Sequence, residues 1–219
     1  MDSSGKVYEH VIIESQYFPP ISYFALALQF EEIHVEAFEN YRKQSYRNRC
    51  LIRGANKIEK LIVPVQNPAG RPEIRDIRID YSTNWFKLHR KALLSAYGKS
   101  PFYEYFADDF FHILNKKYRF LFDLNMEILP KCLDLLGIKR KITYSTQYLK
   151  TCESGTFDAR GLIDPKKPDK NHQFFNPVPY YQVFGKNFAE NLSIIDLLFC
   201  EGPNALQILK QSAIFINEC

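Results

Sequence analysis

Long apolar runs are missing from this chain. No stretch approaches the roughly 18 residues that a membrane-spanning helix needs, so no span is expected. The start, "MDSSGKVYEH", has no apolar core of the kind that marks a secretory leader, and a cytoplasmic location is the expectation. Cysteine is sparse: Cys50, Cys132, Cys152, Cys200 and Cys219 are odd in number, widely spaced and without a CxxC pair. That excludes a disulfide framework and a structural zinc site, and fits a reducing compartment. The histidines stand alone, none at HExxH or another ligand spacing, so no metal is expected. Also missing are GxGxxG, GxxxxGK[ST] and GxSxG, which sets aside dinucleotide binding, common NTPases and ordinary α/β-hydrolases. No cofactor is expected. Charge of one sign is not concentrated either. The 29 Lys and Arg are interspersed with 25 Asp and Glu for a net charge of +4. Such a mixture speaks against a nucleic-acid binder and is compatible with anionic small molecules such as phosphates.

What the chain does have is length for a core and an excess of aromatics. Its 219 residues are 46% hydrophobic, and 18 Phe and 14 Tyr accompany a single Trp. The order of elements points to α/β architecture. "VYEHVIIES" (7–15) reads as a strand, "ISYFALALQFEE" (21–32) as a helix and "IHVEAF" (33–38) as a second strand. Three such elements within about 30 residues make a βαβ unit with parallel strands. "KIEKLIVPV" (57–65) and "IRDIRID" (74–80) read as further strands, and three helical segments follow between Asn84 and about Leu136. The first of them is capped by Ser82, Thr83 or Asn84 and ends at Gly98, and Pro130 implies a kink or break in the third. "KITYSTQYL" (141–149) is strand-like, 151–179 is a long proline-rich loop, and "YYQVF" is a candidate last strand. Two helices separated at "EGP" close the chain. The expected fold is a single α/β domain over 1–219, with a mixed, mainly parallel sheet flanked by helices.

Polar residues gather where these elements end. "QYFPP" puts Gln16 and Tyr17 at the carboxyl end of the first strand, where open α/β sheets bind ligands. In "SYRNR", Arg47 and Arg49 flank Asn48, and an extended chain would aim both guanidiniums at one face, suited to a phosphate or carboxylate. A solvated basic face explains the arginines equally simply. His89 shares a helical face with Trp85, Tyr97 lies further along that helix, and a lone His is a candidate for proton transfer. No carboxylate in the sequence stands ready to orient it, and packing is the plainer reading. Ser145 ends the "KITYS" strand within reach of a phosphate, and Ser193 and Asp196 read as the N-cap and box position of a helix.

Taken in order, these segments resemble the WbqC-like protein family, known mainly from genes near bacterial O-antigen and other surface-polysaccharide clusters. "ESQYFPPISYF" is similar to the family's QPYFFPYIGYF, "SYRNR" to its S-W-x-N-R, and "LIVPV" to its W-L-T-V-P-V. "NWFKLHRKALLSAYGKSPFYEYF" resembles its W-x-x-x-H helix pair, and "LGIKRKITYST" its L-G-I…S-S strand. "YYQVF", containing Gln182, and "NLSIIDLLFCEGPNAL" match its Y-x-Q-x-F and L-S-I-I-D-L-L-F-N-E-G-P segments. The sequence departs from the family pattern at Ser22, where the family has Gly. It departs again in the segment with Asp158, Arg160, Pro165 and Lys166, a variant associated with Bacteroidetes-like members. The gene setting implies a transferase acting on a sugar, a nucleotide-sugar or an acyl or aminoacyl substrate, with a phosphate-bearing small molecule or nucleotide-sugar as partner. The alternative is a non-catalytic binding or scaffold protein of polysaccharide assembly. The strand ends also resemble those of HUP-type nucleotidylyltransferases, without their HxGH, and this resemblance implies a Rossmann-like or HUP-like arrangement of the sheet. On this reading His89 is the catalytic candidate, and Gln16, Tyr17, Asn48, Arg49, Arg47, Tyr97, Ser145 and Gln182 bind substrate.

Overall fold

The structure, a computed structural model, describes residues 8–66, 70–152 and 154–216. β1 (His10–Glu14) is buried from Val11 onward, as its branched Val-Ile-Ile run demands. α1 (Ile21–Ala27) follows with every residue buried, and stops five residues short of the expected end in a turn through Leu28 and Gln29. β2 (Glu32–Glu36) then runs parallel to β1, pairing His10 with Glu32 and Glu14 with Glu36. The βαβ unit is therefore present.

The junction between β1 and α1 is held from two directions. The Tyr17 amide donates to the Tyr46 carbonyl at 2.8 Å, and the Ile194 amide donates to the Pro19 carbonyl at 2.9 Å. Phe18 adopts φ 41°, an uncommon conformation for a bulky residue, and the Ser193 hydroxyl holds its carbonyl at 2.9 Å. Two prolines restrict the chain just beyond it. "QYFPP" is thus a rigid, fully packed crossing.

β3 (Arg49–Arg53) and β4 (Ile58–Ile62) form a separate antiparallel ribbon. The expected strand at 74–80 is instead a 3-10 turn at Ile74–Asp76 followed by isolated bridges. Ile74, Ile77 and Ile79 are all buried, a spacing that alternating strand faces cannot satisfy. α2 (Trp85–Tyr97) has the expected ends: the Asn84 side chain accepts from the Lys87 amide, and Gly98 terminates it. α3 (Tyr103–Asn115) and α4 (Leu121–Leu135) follow. Pro130 does not break α4; it sits on the solvent side while Ile128, Leu129, Cys132 and Leu133 pack inward and hold the helix.

β5 (Lys141–Tyr144) pairs with β2, and β6 (Thr156–Asp158) with β1, both in parallel. The order is β5-β2-β1-β6, with all four carboxyl ends on one side. β6 lies inside the segment read as loop; three residues are too few for a periodic signal. "YYQVF" contains no strand. There Gln182 clamps a loop instead, donating to the Ala189 carbonyl at 3.0 Å and accepting from its amide at 2.9 Å. α5 (Ile194–Glu201) is buried through Cys200 and packs against α1, α2 and α3, and α6 (Ala205–Ser212) follows. The "EGP" turn between them needs glycine: Gly202 has φ +52°, and a Cβ there would meet the Phe102 ring at 2.5 Å. Among the described residues no helix is long and apolar enough to cross a membrane.

Candidate ligand-binding site

Two neighbouring parallel strands both end in glutamate. Glu14 and Glu36 are register partners at the carboxyl ends of β1 and β2, 1% and 0% exposed. A buried carboxylate is costly unless it is paired and hydrogen-bonded. Glu14 accepts from the Gly161 amide at 2.9 Å and lies 3.9 Å from Arg47. Glu36 accepts from the Phe38 amide (2.9 Å), the Ser145 hydroxyl (2.5 Å) and Arg160 Nη1 (3.2 Å). Glu39 receives both arms of the buried Arg47 fork, at 2.7 and 2.5 Å. Burial raises the Glu39 carboxyl above its usual range even so, with Glu14 and Glu36 adding to the push. Burial opposes the charge on Arg47, but the Glu39 hydrogen bonds and the Glu14 charge outweigh it and hold the guanidinium protonated.

Beyond this acidic floor the sign reverses. A cavity of about 380 Å³ opens between the 42–45 segment and the chain after β6. Arg42, Lys43, Arg160, Lys166, Lys167 and Lys170 line it, and Asp164 is the one acid in its wall among the described residues. Six cations converging on one cavity focus a positive field that favours an anionic ligand. Arg160 joins floor and wall: besides Glu36 it holds Asp158 at 2.7 Å, which keeps that carboxyl below its ordinary range although burial opposes this. Gly161 turns the chain here with φ +72°. Gln44, at the rim, is also left-handed at φ 59°, an uncommon conformation for a residue with a Cβ.

The expected site residues fall into three places. Gln16, Arg47 and Asn48 are buried and do not line the cavity; Gln16 and Arg47 lie behind its 163–164 wall, and Asn48 faces the end of the ribbon at Val63. Gln16 donates to the Ile163 carbonyl at 3.3 Å, and Asn48 to the Val63 carbonyl at 2.9 Å. The Oε1 of Gln16 and the Oδ1 of Asn48 are buried without a protein donor among the described residues. Arg47 and Arg49 do not share an extended face, because 46–48 is a 3-10 turn started by Ser45; Arg47 points inward, and Arg49 opens β3 with its Nε buried. Ser145 binds Glu36 and the Ala37 amide.

Tyr17 and His89 sit deeper. Tyr17 is 0% exposed and donates to His89 Nδ1 at 3.0 Å, while His89 Nε2–H donates to the Ile62 carbonyl at 3.1 Å. Burial pushes the His89 pKa down to about 4, so the ring is neutral at pH 7 with both nitrogens engaged. Its contacts bridge the β1–α1 junction and the ribbon.

Tyr97 and Gln182 belong to a different cluster around Asp196. That carboxylate is 0% exposed and accepts from Tyr97 (2.6 Å), Tyr180 (2.5 Å) and Gln182 (3.1 Å). Burial nonetheless raises its pKa. Ser193 occupies the N-cap of α5 but makes no side-chain cap bond, since its hydroxyl serves Phe18. Asp196 lies in the first turn of α5, as expected, but it closes no capping box, since the Ser193 amide donates to the Leu51 carbonyl; its carboxylate ties α2 to the 180–182 segment. Sequence reasoning missed Glu14, Glu36 and Glu39: the expected strands run on to Ser15 and Phe38, which hides Glu14 and Glu36 inside them, whereas β1 and β2 end at these glutamates.

A parallel α/β sheet with charged groups gathered beyond its strand ends is the arrangement in which such folds bind ligands. The chain matches the WbqC-like protein family over residues 14–164 and 157–208, and it belongs to that family. It is also similar to a protein of Mycobacterium tuberculosis (strain ATCC 25618 / H37Rv) described as "Uncharacterized protein Rv1507c". The two are 28% identical over 229 aligned positions, covering 91% of this chain and 98% of that protein. No solved structure matches the chain.

Proposed function

We propose that this protein is a transferase of bacterial surface-polysaccharide biosynthesis that binds a phosphate-bearing substrate, such as a nucleotide-sugar, in the basic cavity. The observation that carries the reading is the ratio of six cations to one acid at the carboxyl edge of a parallel sheet. Lysine and arginine donors around a phosphate make charge-assisted hydrogen bonds, the strong kind. In this reading the mobile contacts to the ligand come from Arg42, Lys166 and Lys170. Arg47 and Gln16 support them from behind. Arg160 is the shared member, held by Asp158 and Glu36 on one side and facing the cavity on the other. The neutral, fully engaged His89 supports the frame in this scheme and does not move a proton.

The test is calorimetric titration with inorganic pyrophosphate and a panel of nucleotide-sugars, for the wild type and for Lys166→Glu/Lys170→Glu. Two lost charge-assisted contacts weaken binding by at least about tenfold. Raising salt weakens the wild type as well, because the cavity is open to solvent. Binding that ignores both the double substitution and salt would refute the reading.

A further inference from the structure

A second hollow of about 630 Å³ opens beside the first, walled by the segments after β2 and β5 and by α4. The Glu36 carboxylate stands between the two: Arg160 of the basic cavity binds one oxygen, and Ser145 and the Phe38 amide of the second hollow bind the other. The chemistry of the second wall is different. Phe38, Tyr118, Phe122 and Tyr144 supply aromatic surface, and Asp123 supplies an acceptor; Glu127, one helical turn along α4, is held by Lys116 at 2.6 Å and offers only its second oxygen. Its one cation among the described residues, Arg75, lies 3.7 Å over the Phe38 ring and is bonded to Glu73 at 2.7 Å. Tyr144 is 60% exposed and stands edge-on to Phe122, with ring centroids 6.2 Å apart.

Aromatic surface bordered by the Asp123 carboxylate disfavours a free anion. It suits a ring that offers a C–H face to the aromatics and several O–H or N–H donors to the acids. We propose that this hollow binds a neutral or amino-bearing sugar ring, which serves as the acceptor. Its O–H or N–H forms a new bond to the carbon that carries the phosphate group in the basic cavity. That carbon–oxygen bond breaks with its electron pair left on the phosphate-bearing product, and the proton passes to solvent. The acceptor role rests on the function proposed above; the sugar-binding site does not. α4 carries Phe122 and Asp123 at consecutive positions, and Tyr144 at the end of β5 meets the Phe122 ring edge-on.

The experiment is saturation-transfer NMR with a panel of methyl hexopyranosides and methyl aminohexosides. Wild type, Tyr144→Ala, Asp123→Asn and Lys166→Glu/Lys170→Glu are compared, with melting curves as a check on folding. Tyr144 and Asp123 are exposed, so both variants fold. An aromatic face contributes roughly 2- to 10-fold in affinity. Transfer to ring protons in the wild type, reduced at least about twofold in Tyr144→Ala and in Asp123→Asn but retained in the lysine variant, supports the site. No transfer from any panel member, or undiminished transfer in both single variants, overturns it. Sugar binding without pyrophosphate binding would uphold this site while removing its acceptor role.

Discussion

Replacing Arg47 by methionine separates a buried structural charge from a ligand contact. Arg47 is 4% exposed and carries the two-armed bond to Glu39, with Glu14 at 3.9 Å. Methionine keeps much of the volume but leaves those carboxylates facing each other without their cation. Removing one partner of a buried pair costs about 3–5 kcal/mol. For a chain of this size 1 kcal/mol is about 2–4 °C, so the melting temperature falls by roughly 6–20 °C. The loss depends on pH. Burial already raises the Glu39 carboxyl in the folded state, and removing Arg47 raises it further. A group whose folded pKa lies above its unfolded value contributes most below the unfolded value, and its contribution is lost as pH rises through the folded one. The gap between variant and wild type is therefore smaller at pH 5 than at pH 8. Urea unfolding followed by circular dichroism at both values measures it. Adding Glu39→Gln to the variant recovers part of the loss, and Arg42→Met, at an exposed position, changes stability by no more than about 0.5 kcal/mol. An Arg47→Met protein within about 1 kcal/mol of wild type at pH 8, or a gap equal at both pH values, would show that the acidic floor does not depend on this arginine.

Three further outcomes are expected. His89 is held neutral with a pKa of about 4, so protonation favours the unfolded chain as pH drops from 6.5 towards 4. Wild-type stability falls by roughly 3 kcal/mol in that window on this account, and His89→Phe flattens the pH slope of chemical unfolding there. Asp196→Asn sets an amide donor against two tyrosine hydroxyls, costing about 1–3 kcal/mol in urea unfolding, and leaves pyrophosphate titration unchanged because Asp196 is remote from the cavity wall. Gly202→Ala combines a left-handed backbone with a Cβ driven into the Phe102 ring, and lowers stability by about 2 kcal/mol or more by the same measurement.

Long periodic segments were legible in the sequence, and sites made of pairings were not. α2 announced both its ends, because Asn84 and Gly98 act within one turn of the helix they bound. β1, α1 and β2 followed from branched runs and one proline junction. β6 could not be read, since its three residues are a strand only by virtue of β1 beside them. Arg47 looked like a surface clamp because nothing local reveals that Glu39 and Glu14 wait inside for its charge. The same blindness affected His89, whose partners are a tyrosine and a carbonyl on other elements. The lysine wall was hidden in a segment whose composition suggested only a loop.

The pairing of β6 with β1 has a consequence for how the protein is made. His10 meets Thr156, so the outer edge of the first strand stays open until residues far down the chain have left the ribosome. At about 5–20 residues per second that interval is roughly 7–30 s. During it, an apolar strand presents unsatisfied amides and carbonyls, the template on which nascent chains pair with one another. The cavity shares this delay, since Arg160 and Gly161 arrive with β6. A chain cut short before residue 156 therefore lacks both the cavity wall and the cover of that edge, and is exposed to aggregation.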